Sequence, residues 1–493
     1  MLDSVPILKR RRRSLILIAA LALVSAAPAQ QPWLDDYAAL KAAMEARYAN
    51  LAWFGSPQGG VDLPRLDRRT TEALSRAETR DDALAALRAF VAAFDDGHFS
   101  IVPSPLEVGT PEAEPARPEL GGSHAAQACA ALGYGNRSQV AFSLPFESHS
   151  GFELMSERDA SFRAGILRAG GTAVGLIRIR NFGPSQYPAE CEAAWTAATV
   201  PQRADPDAFS DLVQRQWLRS LAATIDRVST RHPAAMLVDI GTNSGGNESG
   251  DWSARLFTAQ PLRSARVLMR PAAQAEAYFD DEIEAVEAAM RASADAGSRQ
   301  AAETALGILR ARKVAASSPA CDLHWVWQER RDWAPFGCSG LTDAGFGSGA
   351  VAYQAVGAVR DPEVARRIYG PAIADPLIGR WHGPVFVLTN SATYSAAEMF
   401  AAVLQNNRAA RIVGSPSGGD GCGFMVESEP LALPNLGLRI RLPNCVRLRS
   451  DGSNEVAGIR PDIPILSRDG ESPRARAMRL LRAIAAVLPG FRG

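Results

Sequence analysis

The 493-residue chain carries 53 lysines and arginines against 53 aspartates and glutamates, so it has no net field to attract nucleic acid or an anionic membrane surface. Its 47% hydrophobic and 22% charged residues are ordinary for globular material, and its length exceeds what one core holds, so two or more domains are expected. Nucleic acid is excluded as the expected partner.

In chain order, Lys9 to Arg13, the apolar run Ser14 to Ser25 and Ala27-Pro28-Ala29 form a basic region, a hydrophobic region and a small-residue cleavage site. This predicts an export signal over 1–29 and a periplasmic or extracellular protein. The apolar run is shorter than the ~20 residues that span a bilayer, and no cysteine follows it for lipidation, so no stable membrane anchor is expected. Helices are predicted over Trp33–Trp53 and Arg80–Phe94, giving a helical N-terminal domain over 30–103. Residues 104–172 read as a linker and a small mixed segment in which no element is placed.

From Gly175 the pattern sharpens. A strand over Gly175–Ile179 precedes a helix with one face marked by Phe209, Leu212, Val213, Trp217, Leu221, Ile225 and Val228, and the strand Ala235–Ile240 follows. Strand, long crossover and strand predict a largely parallel α/β layer, with a core over 173–271 and 381–470. The Ala-rich helical stretch and the Trp-rich segment of 272–380 read as a mainly helical insertion. Strands resume at Pro384–Leu388, Arg411–Gly414 and Leu438–Leu442, and an Arg-studded amphipathic helix, Pro473–Leu488, occupies the C-terminal segment 471–493. Six cysteines in an exported chain favour disulfides, and proximity pairs Cys321 with Cys338, Cys422 with Cys445 and Cys129 with Cys191. No Cys-x-x-Cys supports a metal site.

Four segments carry the chemistry. Val385 to Leu404 reads as a buried strand, a turn and a helix beginning at Ser395, where unpaired N–H groups and the helix dipole favour an oxyanion. Ser395-x-x-Glu398 is equally the pattern of a capping box. Asp239-Ile-Gly241-Thr-Asn-Ser-Gly245-Gly246-Asn247 leaves a buried strand through glycines that let N–H groups approach a ligand, or simply makes a tight turn. His98, in Asp95-Asp-Gly97-His98, is either a general base or a partner for a helix C-terminus. Glu455-Val-Ala-Gly458-Ile-Arg-Pro461-Asp462 is either an acid site or a turn into a strand.

In this order the four segments resemble the tail-specific serine peptidases, which include the C-terminal processing proteases and the tricorn core. The resemblance runs over about 30 to 105, 173 to 271 and 381 to 470. It implies a ClpP/crotonase-like α/β fold and a serine hydrolase with a peptide or protein substrate and no cofactor. Ser395 would be the nucleophile, and Gly245 or Gly246 together with Ala396 the oxyanion donors. Gly241 stands where the family has arginine, and Asp420 where the processing proteases have their lysine base. The chain's only lysines, Lys9, Lys41 and Lys313, lie away from these segments, so the resemblance points to the tricorn-like branch, with His98 as base and Glu455 as its partner. Gly97 replaces the serine that precedes that branch's histidine, which leaves Ser100 or Asp420 as alternative members of the relay. No PDZ domain is recognisable in 104–172. The competing reading is a binding protein for apolar ligands on the same fold, as in the interphotoreceptor retinoid-binding protein.

Overall fold

The computed structural model describes residues 32–102, 124–135, 142–157, 160–169, 171–318, 321–337, 340–426 and 428–490. The export signal, residues 104–123 of the expected linker and Cys338 lie outside the described residues. In chain order the strands are β1 (Ser100–Val102), β2 (Phe152–Leu154), β3 (Arg163–Ala169), β4 (Thr172–Arg178), β5 (Ala235–Asp239), β6 (Arg266–Met269) and β7 (Thr342–Phe346). They continue with β8 (Val385–Thr389), β9 (Arg411–Gly414), β10 (Leu431–Leu433), β11 (Leu438–Arg441), β12 (Cys445–Leu448) and β13 (Ile463–Pro464).

Seven of them form the main sheet in the order β13-β9-β8-β5-β4-β3-β2. The five from β13 to β4 run parallel, and β3 and β2 close the edge antiparallel. Every residue of β5 and β8 is buried, as expected of parallel strands covered on both faces. Alternation sends Met236, Val238, Val385 and Val387 into one core with the helix Pro206–Ser229. It sends Leu237, Phe386 and Leu388 into another with Leu480, Leu481 and Ile484 of the C-terminal helix Pro473–Val487. The fold is the mixed α/β fold expected, with β2 and β3 added in the segment where no element was placed.

Two further three-stranded sheets, β1-β11-β10 and β12-β6-β7, pair segments that are distant in the chain. Through β1, which pairs with β11, the segment just after His98 is fastened to the core. The N-terminal helices Pro32–Arg47, Leu63–Arg76 and Arg80–Ala92 share one apolar cluster with Leu433, Leu438, Ile440 and Val456. The expected helix over Trp33–Trp53 breaks after Arg47 and resumes as a single turn at Leu51–Phe54. Residues 273–316 form two packed helices, Ala273–Ala292 and Ala296–Ala316, whose inner faces meet β6 and the disulfide Cys422–Cys445. The expected pairs Cys129–Cys191 and Cys422–Cys445 are both present. Among the described residues no helix is long and apolar enough to cross a membrane.

Candidate active site

The chain leaves β8, turns through Asn390–Tyr394 and enters the helix Ala396–Asn406 at Ser395. Ser395 has φ 53°, a left-handed conformation that costs a residue with a side chain of order 1–3 kcal/mol and persists only where its surroundings impose it. They do so here. Tyr394 N–H donates to the Asn243 carbonyl at 3.0 Å, and Gly245 packs so closely beneath that a Cβ there would lie 2.7 Å from Ser395 Cβ.

Glu398 does more than cap the helix. Its fully buried carboxylate accepts Ser395 N–H at 3.1 Å, Ser417 Oγ–H at 2.6 Å and the N–H groups of Gly419, Asp420 and Gly421 at 2.8, 2.9 and 3.0 Å. Burial, which outweighs these donors, pushes its carboxyl up to about 7. Glu398 thus clasps the 417–421 loop to the first turn of the Ser395 helix.

The glycine turn after β5 is anchored by Asp239, which forms a buried ion pair with Arg178 from β4 and accepts Ser143 Oγ–H at 2.9 Å and Gly241 N–H at 3.0 Å. A Cβ on Gly241 would meet Ser143 Cβ at 2.6 Å, so no arginine fits where the resemblance expects one. Of the two expected oxyanion glycines, Gly245 is engaged otherwise: its N–H donates to Asn243 Oδ1 at 2.8 Å. Gly246 follows with φ 147°, and among the described residues its N–H has no hydrogen-bond partner. The Ala396 N–H, at the start of the helix, lies 3.1 Å from the Cβ position of Gly245.

His98 is held by two aspartates. Asp96 Oδ1 accepts the His98 N–H at 3.0 Å while Asp96 Oδ2 accepts Tyr48 Oη–H at 2.7 Å, and burial pushes the Asp96 carboxyl up to about 6. Asp420 Oδ1 accepts Gly97 N–H at 2.7 Å, and a Cβ on residue 97 would stand 2.5 Å from that oxygen. Glycine at 97 is therefore what admits Asp420. His98 Nδ1 lies 3.2 Å from the Asp420 carbonyl oxygen and 3.8 Å from Asp420 Oδ2. A carbonyl only accepts, so this contact places the ring proton on Nδ1 and leaves Nε2 as the free base. Asp96, His98 and Asp420 present ligand-type atoms within 4.8 Å of one another, but Asp96 and Asp420 Oδ1 already accept protein N–H and O–H groups.

Glu455 departs from expectation. It is fully buried, but Oε1 accepts Arg447 Nε–H at 2.7 Å, and among the described residues no hydrogen bond joins it to His98. Its Oε2 has no partner among those residues. Arg447 in turn donates to the Gly421 carbonyl at 2.9 Å and the Ser395 carbonyl at 3.4 Å, so Glu455 braces the serine and the 417–421 loop through arginine. Ser100 stands in β1 opposite Arg441. Lys41 pairs with Asp67 and Lys313 with Asp280, so neither is a base for Ser395.

Ser395, His98, Gly246, Ala396, Arg447 and Cys422 line one cleft of about 440 Å³. Sequence reasoning missed Arg447 and the loop clasp of Glu398, which no local pattern marks as more than a strand residue and a cap. The family model for peptidase family S41 matches residues 173–465, more than half of the chain. Mature CPAF complexed with lactacystin is 16% identical with a TM-score of 0.57, over 93% of this chain and 99% of that one. Mature CPAF gives the same identity and TM-score over 93% of this chain and 98% of that one. At this identity the likeness is one of fold. No curated protein sequence matches the chain.

Proposed function

Because the chain belongs to peptidase family S41 and is a serine peptidase acting on peptides or proteins, we propose that Ser395 is its nucleophile, His98 its general base, and the N–H groups of Gly246 and Ala396 its oxyanion donors. The observation that carries this reading is Ser395 itself, held at φ 53° on a helix N-terminus in the same cleft as His98. A serine that only capped the helix would have no need of that conformation.

In the reaction, Ser395 Oγ attacks the peptide carbonyl carbon as its proton passes to His98 Nε2, and the carbonyl oxygen takes the negative charge. The Gly246 and Ala396 N–H groups stabilise that oxyanion. The C–N bond breaks, the amine leaves with the proton from His98, and water repeats the sequence on the acyl-enzyme. Among the described residues no hydrogen bond yet joins Ser395 to His98, and such contacts often close only with substrate bound. This chemistry calls for no cofactor.

Asp420 takes the place assigned to Glu455 as the acid beside the imidazole. Its carbonyl faces His98 Nδ1 and its carboxylate lies within reach of imidazolium charge, whereas Glu455 neutralises Arg447. Export is the reading that fits the N-terminal signal pattern and the two disulfides. The carrier alternative gains nothing from a cleft walled by Arg366, Arg367, Glu248 and Glu282. The test is labelling with a fluorophosphonate followed by peptide mapping. A single adduct on Ser395, absent from Ser395→Ala, is expected; an adduct elsewhere, or none, rejects the assignment.

A further inference from the structure

Part of the cleft wall is built by the helix Ala273–Ala292, which no sequence motif connects to the chemistry. Tyr278 and Glu282 lie one turn apart on it and so share a face, and both line the cleft together with Glu248. Glu248 follows Gly246 by two residues, which keeps it within about 7 Å of backbone from the proposed oxyanion donor.

The ion pairs made by the lining arginines leave two lining carboxylates over. Arg366 is bonded to Asp211 and to Glu363, each at 2.6 Å, Arg367 to Glu363 at 2.9 Å, and Arg447 to Glu455 at 2.7 Å. Each lining arginine therefore has its carboxylate. The carboxylates of Glu248, which is exposed, and of Glu282, which is half-buried, have neither an ion pair nor a hydrogen bond among the described residues, and the hydroxyl of the half-buried Tyr278 likewise has no hydrogen-bond partner among them. The cation that acts on Glu282 is Arg367, already engaged by Glu363, and burial pushes the Glu282 carboxyl up to about 7. Trp252, Val267, Phe346 and Met399 supply apolar wall beside these groups. An aliphatic stem ending in a cation would pack on that wall and bring its charge to the two carboxylates and the phenol oxygen.

We propose that Glu248, Glu282 and Tyr278 form a subsite for a lysine or arginine side chain of the peptide substrate, placed within a few residues of the scissile bond. The proposal rests on the peptidase reading and adds the substrate class to it. Three observations that do not depend on one another carry it: two carboxylates without cations, an unpartnered phenol beside them, and a cavity shared with Ser395.

The test begins with a mixed peptide library cleaved by the full chain, with cleavage sites read by mass spectrometry. A basic residue should be enriched at one fixed position near the cleaved bond. At that position lysine should exceed norleucine, its uncharged near-isostere, by about tenfold or more in kcat/KM. In the double variant Glu248→Gln, Glu282→Gln that ratio should fall towards unity, and Glu282→Lys should reverse it. A ratio between two peptides is insensitive to a partly unfolded sample, so a merely damaged variant does not imitate the result. Cleavage without a fixed basic position, or a ratio unchanged in the double variant, overturns the subsite while Ser395 labelling keeps the peptidase reading intact. A wild-type chain that neither labels nor cleaves overturns both.

Discussion

The nucleophile and its base are built in opposite ways. Ser395 sits between a strand and the helix that follows it, within the continuous segment Val385–Asn406, and almost all of that strand and helix is buried. His98 owes its setting to a residue 322 positions away, since the Gly97 N–H and the Asp420 carboxylate join segments that only the finished fold brings together. The loop bearing Asp420 is itself placed by Glu398, Arg447 and the Cys422–Cys445 disulfide. A nucleophile made locally is hard to misplace, while a base made by tertiary contact fails whenever one of its supports fails. The two halves of the site should therefore respond differently to substitution.

The largest effect belongs to the local half. Ser395→Ala should lower kcat by about 10⁴- to 10⁶-fold in a peptide assay while costing only about 1 kcal/mol in urea unfolding. Surviving turnover would place the nucleophile elsewhere. On the tertiary half, Asp420→Asn should reduce kcat by about 10² to 10⁴. Glu455→Gln should act chiefly on stability, by about 3 kcal/mol or more, because Arg447 is left buried without its carboxylate. If instead Glu455→Gln stops turnover in a folded protein and Asp420→Asn does not, the relay passes through Glu455 and the comparison is redrawn.

Gly246→Ala probes the junction between the halves. Its Cβ would stand 1.5 Å from the Phe182 carbonyl oxygen, so the backbone must shift and carry the N–H out of line. A loss of about 10²- to 10³-fold in kcat is expected, and an undisturbed rate would remove Gly246 from the oxyanion site.

The smallest effect is a slope in stability. The Glu398 carboxyl, at 4.5 in its ordinary state, is pushed up to about 7 by burial, so between those values the folded chain keeps a proton that the unfolded chain has released. Stability from this group is therefore fullest below about pH 4.5 and is lost as pH rises through about 7. The urea-derived difference between wild type and Glu398→Gln should shrink by on the order of 2 kcal/mol across that window. A difference independent of pH would mean that Glu398 folds already ionised.

What could be read in advance follows the same division. The apolar runs of β5 and β8, the helix behind Ser395 and the face of the helix Pro206–Ser229 are local patterns, and the structure carries them within a residue or two. Leu212 is the exception on that face, only partly buried. Gly97 shows why the rest was hidden. In sequence it is a serine missing from a motif; in space it is the gap that admits Asp420 Oδ1. Arg447 and Tyr278 carry no local mark at all, since each earns its place in the cleft from pairing or packing across long separations. The break after Arg47 follows from packing too, because Tyr48 is drawn inward to donate its hydroxyl to Asp96.

The bridge between Cys422 and Cys445 forms part of the cleft wall, two residues beyond Asp420 in one direction and two short of Arg447 in the other. Its closure is thus a step in making the site and not merely in bracing the fold. Where glutathione keeps thiols reduced, the finished polypeptide would hold its serine and histidine in a wall still missing one covalent stitch.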